Sequence, residues 1–438
     1  MRTAPVVGLL VMLVAAPVAQ GQEGAPRSEK QVLSPEAQVS LLTILPGEAV
    51  YSVFGHSALR VRDPVRGIDR VYNYGTFDFG PHFVPRFLYG KLEYMLSTRP
   101  FADALGDFRR QGRPVIEQVL HLNAAHRRRL FRHLEWKARP EHRTYRYDFF
   151  FDNCATRLLD AVRRATGGDL TFAYPSAPDR SFRRLLDKPL EGRSWLGVGI
   201  DLALGARADR AASPRETTFL PAHLSAAFAE SRIRRGGTRR SLAAAPDTLF
   251  WPAGYDARGA SASWPVLLLW GLLAGTLGAA AWTHGAAWTH GQRRKRRVWA
   301  DALWLGATGL VGLALALLWG VSLHEETAWN ADLLWAWPTH LVAAALVLAR
   351  GGRRRKRLRI YFAAVTATSF GLALGWPWWG GSFHPAVLPL VLLLGARSAF
   401  LARKRKRPSA HAGSAGEREP PPLAENAASR GIFGTVCP

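Results

Sequence analysis

Between Trp264 and Ala402 the chain alternates long apolar runs with clusters of basic residues, and this pattern constrains the fold more than any other feature. Five runs, at about 264–283, 299–321, 333–349, 360–376 and 385–402, are each roughly 17 to 23 residues long. That is enough helix to cross a hydrocarbon core of about 30 Å. The basic clusters lie in alternate loops. Arg293–Arg297 follows the first run, Arg350–Arg359 the third and Arg403–Arg407 the fifth. The intervening loops, "HEETAWNAD" and "GWPWWGGSFHP", carry no lysine or arginine. Basic loops stay on the cytoplasmic side, so this asymmetry predicts a multi-pass inner-membrane protein whose N-terminal domain faces the periplasm. The three clusters hold 17 positive charges of a formal net charge of +25. Most of the basic excess is therefore a topology signal, and it argues against nucleic acid as a partner.

The rest of the chain divides around that segment. Residues 1–21 carry Arg2, an apolar run from Val6 to Val18 and small residues after it, the pattern of a signal peptide. Residues 30–230 have globular composition and are expected to form the periplasmic catalytic domain, 231–263 a linker and 264–402 the five-span transmembrane domain. Residues 403–438 are expected to be a basic and then disordered cytoplasmic tail. Within the globular part, "VSLLTIL" (39–45), "HSALRVRD" (56–63), "RVYNYGTFDF" (70–79), "LEYML" (92–96) and "PVIEQVLHL" (114–122) read as strands, separated by turn residues. Helices are expected near 81–89 and 101–110, and from Asn123 to Trp136.

One stretch carries chemistry. In "YDFFFDNCATRLLD" (147–160), Asp152 or Asn153 caps a helix whose Leu158, Leu159 and Val162 share an apolar face, so Cys154 falls in the first turn. Unpaired N–H groups and the helix dipole there favour a thiolate. The other cysteine, Cys437, lies across the membrane by this topology, so Cys154 is a free thiol in a disulfide-permissive compartment. Two readings stand at this point, a buried structural cysteine and a nucleophile. A nucleophile needs a base. His121, His126, His133 and His142 sit in arginine-rich, surface-like stretches, whereas His56 opens a strand between Gly55 and Ser57. Cys154 with His56 fits an arrangement in which imidazole accepts the thiol proton and later returns it to a leaving group.

The segments "VFGHSALRVRDP", "YNYGTFDF", "GKLEYML" and "YDFFFDNCATRLLD", in that order and ahead of a multi-span C-terminus, resemble the Lnb-type lipoprotein N-acyltransferase family of bacterial envelope proteins. The resemblance implies an α+β fold in the periplasm, a permuted papain-like domain akin to the NlpC and lecithin retinol acyltransferase groups, followed by a five-helix transmembrane bundle. The histidine precedes the cysteine, as the permuted order requires. A third, base-orienting residue is expected on the strand after His56. Asn73 is the choice there, because Tyr72 and Tyr74 point to the other strand face; a plain strand-end hydrogen-bonding role for Asn73 is the alternative.

The implied activity is a thiol acyltransferase that moves an acyl chain from a phospholipid donor, through a Cys154 thioester, to the N-terminal amine of a diacylglyceryl lipoprotein acceptor. Neither a metal nor a cofactor is expected. Two other functions stay open on the residues alone, a peptidoglycan amidase or peptidase on the same thiol fold and a non-catalytic envelope binding or assembly protein.

Overall fold

Period-two alternation of apolar side chains, buried on both faces, makes the N-terminal half a sheet clothed by helices. The computed structural model describes residues 32–403, apart from 78–79, 82, 92, 175–179, 257–263, 286–289 and 350–354. The expected signal peptide and Cys437 lie outside these residues, as does the tail beyond Arg403.

The chain runs β1 (Gln38–Ile44), β2 (His56–Asp63), β3 (Ile68–Thr76), α1 (Phe83–Tyr89), β4 (Glu93–Pro100), α2 (Phe101–Arg110), β5 (Val115–Val119) and α3 (Ala124–Lys137). It continues through β6 (Thr144–Arg146), α4 (Cys154–Thr166), β7 (Leu170–Thr171), α5 (Phe182–Leu190), α6 (Ser194–Ala203) and α7 (Pro221–Glu230). Three short strands follow, β8 (Arg232–Arg235), β9 (Thr238–Ser241) and β10 (Asp247–Phe250).

Seven strands pair in the order β10-β5-β1-β2-β3-β4-β6, antiparallel throughout. One face gathers Val39, Leu41, Leu59, Val61, Tyr72, Tyr74 and Leu96 with Leu130 and Leu134 of α3, Leu158, Leu159 and Val162 of α4, and Leu224 and Phe228 of α7. The other face gathers Leu42, Ile44, Ala58, Val71 and Val115 with Phe101, Ala104, Leu105 and Phe108 on and around α2. A third apolar cluster, built on Phe150, Phe182, Leu185, Leu186 and Phe219, holds the segment just ahead of α4 against α5.

Two expectations fail here. Residues 231–263 were to be a linker, but 232–241 form the β8–β9 hairpin and β10 completes the main sheet against β5. The pairing of β10 joins segments about 130 residues apart, a contact that local sequence pattern does not reveal. His126 was to be solvated. It is buried instead, and its Nε2 lies 3.1 Å from Asp169.

The C-terminal region is helical, with α8 (Trp264–Gly285), α9 (His290–Gly320), α10 (His340–Leu348), α11 (Arg355–Leu374), α12 (Trp376–Trp379) and α13 (Val387–Ala402). Within α9, Val298–Gly320 is long and apolar enough to cross a membrane. Trp264–Ala279 and α13 are apolar but shorter. The third expected span, 333–349, is α-helical only from His340, after a single 3-10 turn at Ala331–Leu334. Pro338 lies within that run, and proline cannot donate to the preceding turn and clashes with it. Leu267, Leu268, Leu303, Leu310, Leu317 and Ile360 point outward on these helices, an apolar surface suited to hydrocarbon.

The loop between α9 and α10 is bound tightly to the sheet domain. Leu323 N–H donates to Tyr89 O at 2.9 Å, Gly205 N–H to Glu326 O at 2.7 Å, and Asn330 Nδ2 to Leu202 O at 2.7 Å. A methyl group on Gly205 would sit 1.8 Å from Ala328 O, so glycine is required for that approach. Trp329, in the same loop, adopts φ 56°, the only non-glycine in the left-handed region among the described residues.

Candidate active site

The site lies at the end of the sheet where β2 and β3 part. β2 begins at His56 but pairs with β3 only from Leu59 onward, and the β3–β4 ladder is irregular between Asn73 and Thr76. The start of α4 packs into this opening. Asn153 is its N-cap, with Oδ1 accepting from Ala155 N–H at 2.8 Å and Thr156 N–H at 3.0 Å. Thr156 Oγ1 accepts in return from Asn153 N–H at 2.8 Å, closing a capping box. Asn153 Nδ2 also donates to Phe149 O and Phe219 O, so the cap ties the helix start to the buried phenylalanine cluster. The aromatic run before the cysteine thus fixes where α4 begins.

Cys154 is the first residue of α4 and is partly exposed. The backbone N–H groups of Ser57, Ala155 and Cys154 itself each favour the thiolate. The helix start alone predicts an acidified thiol, and here the structure differs. Burial is the largest influence and pushes the Cys154 pKa up, against the smaller opposing effects of those N–H groups and of the Arg113 charge. The resting thiol is therefore protonated at neutral pH.

His56 and Asn73 meet directly. His56 Nε2 lies 2.8 Å from Asn73 Oδ1, and Gly75 N–H donates to the same oxygen at 2.7 Å. Two donors on one atom assign that atom as the amide oxygen, so Nε2 carries the imidazole proton and Nδ1 keeps a free lone pair. Burial first, and the Arg113 charge second, pull the His56 pKa down to about 4, opposed by the Asn73 bond. The imidazole is neutral at pH 7. Gly75 is sterically necessary, since a methyl group there would sit 2.5 Å from His56 Cε1. Cys154 and His56 are not hydrogen-bonded to one another; it is the backbone N–H of Ser57, the neighbour of His56, that favours the thiolate.

Arg113 is the residue that sequence reasoning missed. It lies two residues before Val115, which stands level with Ile44 and His56 across the sheet, because Ile44 pairs with both. It is 4% exposed, and its Nε donates to Leu45 O at 3.0 Å. Gly47 leaves space for its stem, as a methyl group there would lie 2.8 Å from Arg113 Cδ. Its position is set by pairing between distant strands, which no local motif announces.

An α+β domain with a thiol and an oriented imidazole at one sheet end, bound through a docked loop to an apolar helical region, is the class of protein that this fold and site define. Residues 26–188 match the model of the Lnb N-terminal periplasmic domain, and residues 266–408 match that of the Lnb transmembrane domain. The chain belongs to the Lnb family, and it is a membrane protein with a periplasmic N-terminal domain. No curated protein and no solved structure matches it. Family membership points to a membrane enzyme that modifies lipoproteins.

Proposed function

We propose that this protein is a lipoprotein N-acyltransferase of the bacterial inner membrane, anchored by five spans, with a permuted papain-like periplasmic domain. Cys154 is the nucleophile, His56 the general base and acid, and Asn73 the residue that orients the imidazole. What supports this reading is a helix-start sulfur whose thiolate is favoured by the N–H of Ser57, the residue next to His56, together with a neutral His56 whose Nδ1 lone pair is free. A protonated thiol with a neutral imidazole as its base is a competent starting state, because the proton moves to His56 as the sulfur attacks.

In the first half-reaction Cys154 Sγ bonds to the ester carbonyl carbon of a phospholipid. The carbonyl π pair moves to oxygen, and the adduct collapses with expulsion of the lyso-lipid alkoxide, which takes the proton held by His56. In the second, the N-terminal amine of a diacylglyceryl lipoprotein attacks the thioester, loses its proton to His56, and leaves as the amide while the sulfur regains a proton. Both substrates are membrane-anchored, which fits a thiol domain fastened to apolar helices through the Leu323–Asn330 loop. A cavity of about 440 Å³ between α5, α6 and the starts of α8 and α13 adds apolar wall from Leu186, Ile200 and Val266 where the two parts meet.

The test is purified enzyme with phospholipid and a diacylated lipoprotein in mixed micelles, N-acylation being read by mass spectrometry. Appearance of the triacylated product and of lyso-lipid in equal amounts supports the assignment. Released lyso-lipid without amide, or altered muropeptides in a deletion strain with lipoproteins unchanged, overturns it.

A further inference from the structure

We infer that Arg113 is the anion-holding group of the thiol site, its free guanidinium nitrogen receiving an anionic oxygen of the acyl donor or of the adduct at Cys154. The inference rests on the acyltransferase reading and adds to it a residue and a charge.

Buried arginines elsewhere in the domain are neutralised. Arg60 pairs with Asp69 at 2.7 Å and Glu117 at 3.1 Å, and Arg183 with Asp209 at 2.7 Å and Asp201 at 3.0 Å. Arg113 has no carboxylate partner among the described residues. Its Nε binds Leu45 O, its Nη1 reaches Gln111 Oε1 at a long 3.4 Å, and its Nη2 is buried with no hydrogen-bond partner, the guanidinium lying over the Phe108 ring. A buried cation without a counter-ion is costly, and its usual justification is an anion that arrives with function. The titratable groups around it include Tyr255 and Cys154, both pushed up by burial, and His56, pulled down, so that these three are uncharged at rest. The proposed reaction brings the missing charge. As Sγ bonds to the carbonyl carbon, the negative charge passes to the former carbonyl oxygen and then to the departing alkoxide. A guanidinium fixed in a dry site stabilises such charge without reorganising. A phosphodiester on the donor lipid offers the same anionic oxygen by a second route.

The first experiment does not depend on acyl transfer. Full-length enzyme in detergent is alkylated with iodoacetate and, separately, with neutral iodoacetamide, and modification of Cys154 is followed by peptide mass spectrometry. If Arg113 holds anions, the iodoacetate-to-iodoacetamide rate ratio falls at least fivefold in Arg113→Met. Arg113→Gln, which keeps a donor for Leu45 O, serves if the methionine variant does not fold. Arg113→Lys retains most of the ratio. An unchanged ratio in a folded neutral variant overturns the inference, whatever the substrate proves to be.

The second experiment separates the two sources with a phospholipid and an uncharged diacylglycerol as donors. Loss of kcat on both donors, by about 10²-fold, assigns the oxyanion. A rise in KM confined to the phospholipid assigns the phosphodiester. Unchanged kinetics on both donors overturns the inference for catalysis.

Discussion

Asn73 holds His56 by its ring, Oδ1 lying 2.8 Å from Nε2, while Gly75 N–H fixes the same oxygen from the other side at 2.7 Å. All three residues belong to one short stretch at the ends of β2 and β3, so the imidazole's direction is set by strand backbone rather than by a mobile loop. Removing the amide in Asn73→Ala should lower acyl transfer by roughly tenfold to a hundredfold while the chain still folds, because the ring loses its orienter but keeps its walls. Gly75→Ala should cost at least as much, since its methyl group would displace the ring itself. Asn73→Asp should raise the His56 pKa from about 4, because a carboxylate favours imidazolium, and move the acid limb of the pH–rate profile upward. An unmoved acid limb in a folded Asp variant would detach Asn73 from His56.

The thiol gives a second prediction. Burial pushes the Cys154 pKa above its ordinary value of 9.0, and His56 is neutral, so there is no resting thiolate–imidazolium pair. Alkylation of Cys154 by iodoacetamide should therefore be slow at pH 7 and go on rising through pH 9. A plateau reached by pH 7 would demonstrate a preformed ion pair and contradict the electrostatics described here.

Much of this was legible in sequence because it is local. Asn153 as a helix cap, Cys154 in the first turn, and Asn73 on the strand face opposite Tyr72 and Tyr74 all follow from spacing within a dozen residues. What escaped is long-range. Arg113 lies beside the thiol only because β5 pairs with β1 and β1 with β2. Burial of the sulfur, which reverses the effect of the helix start, depends on packing among distant elements. The strands within 232–250 find partners on β5 and β7, far away in sequence.

A third prediction concerns the junction with the helical region. Glu326, 7% exposed, comes from the loop between α9 and α10 and meets Asp148, which precedes the Cys154 helix. Burial first, then the Asp148 charge and hydrogen bond, lift the Glu326 pKa from 4.5 to about 7. A carboxyl group whose pKa is higher folded than unfolded binds more protons in the folded state between those values. Its effect on stability is thus most favourable below about pH 4.5, declines up to about pH 7 and stays level above. Glu326→Gln should remove that decline, so its melting temperature, followed by intrinsic fluorescence in detergent, should exceed the wild type's at pH 8 and match it more closely at pH 5. A wild type no less stable at pH 8 relative to the variant than at pH 5 would rule out the protonated pair.

The last prediction bears on the chemistry itself. Cys154→Ser keeps the capping box and nearly the same volume, so folding and membrane insertion should survive. A serine hydroxyl in this site has only a neutral imidazole to activate it and forms an ester where the thiol forms a thioester, so the covalent route should all but close. N-acylation should fall by a factor of about 10² to 10⁴ or more, the range for a single catalytic group, and His56→Ala should fall comparably. Because the two act as a unit, the double variant should be little worse than either single one. Intact-mass measurement of wild-type enzyme incubated with phospholipid alone should catch one acyl chain on Cys154, absent from Cys154→Ser and discharged by added lipoprotein. Additive losses in the double variant would mean that Cys154 and His56 work separately. Full activity in Cys154→Ser, or an acyl adduct that no amine discharges, would remove the thioester from the reaction.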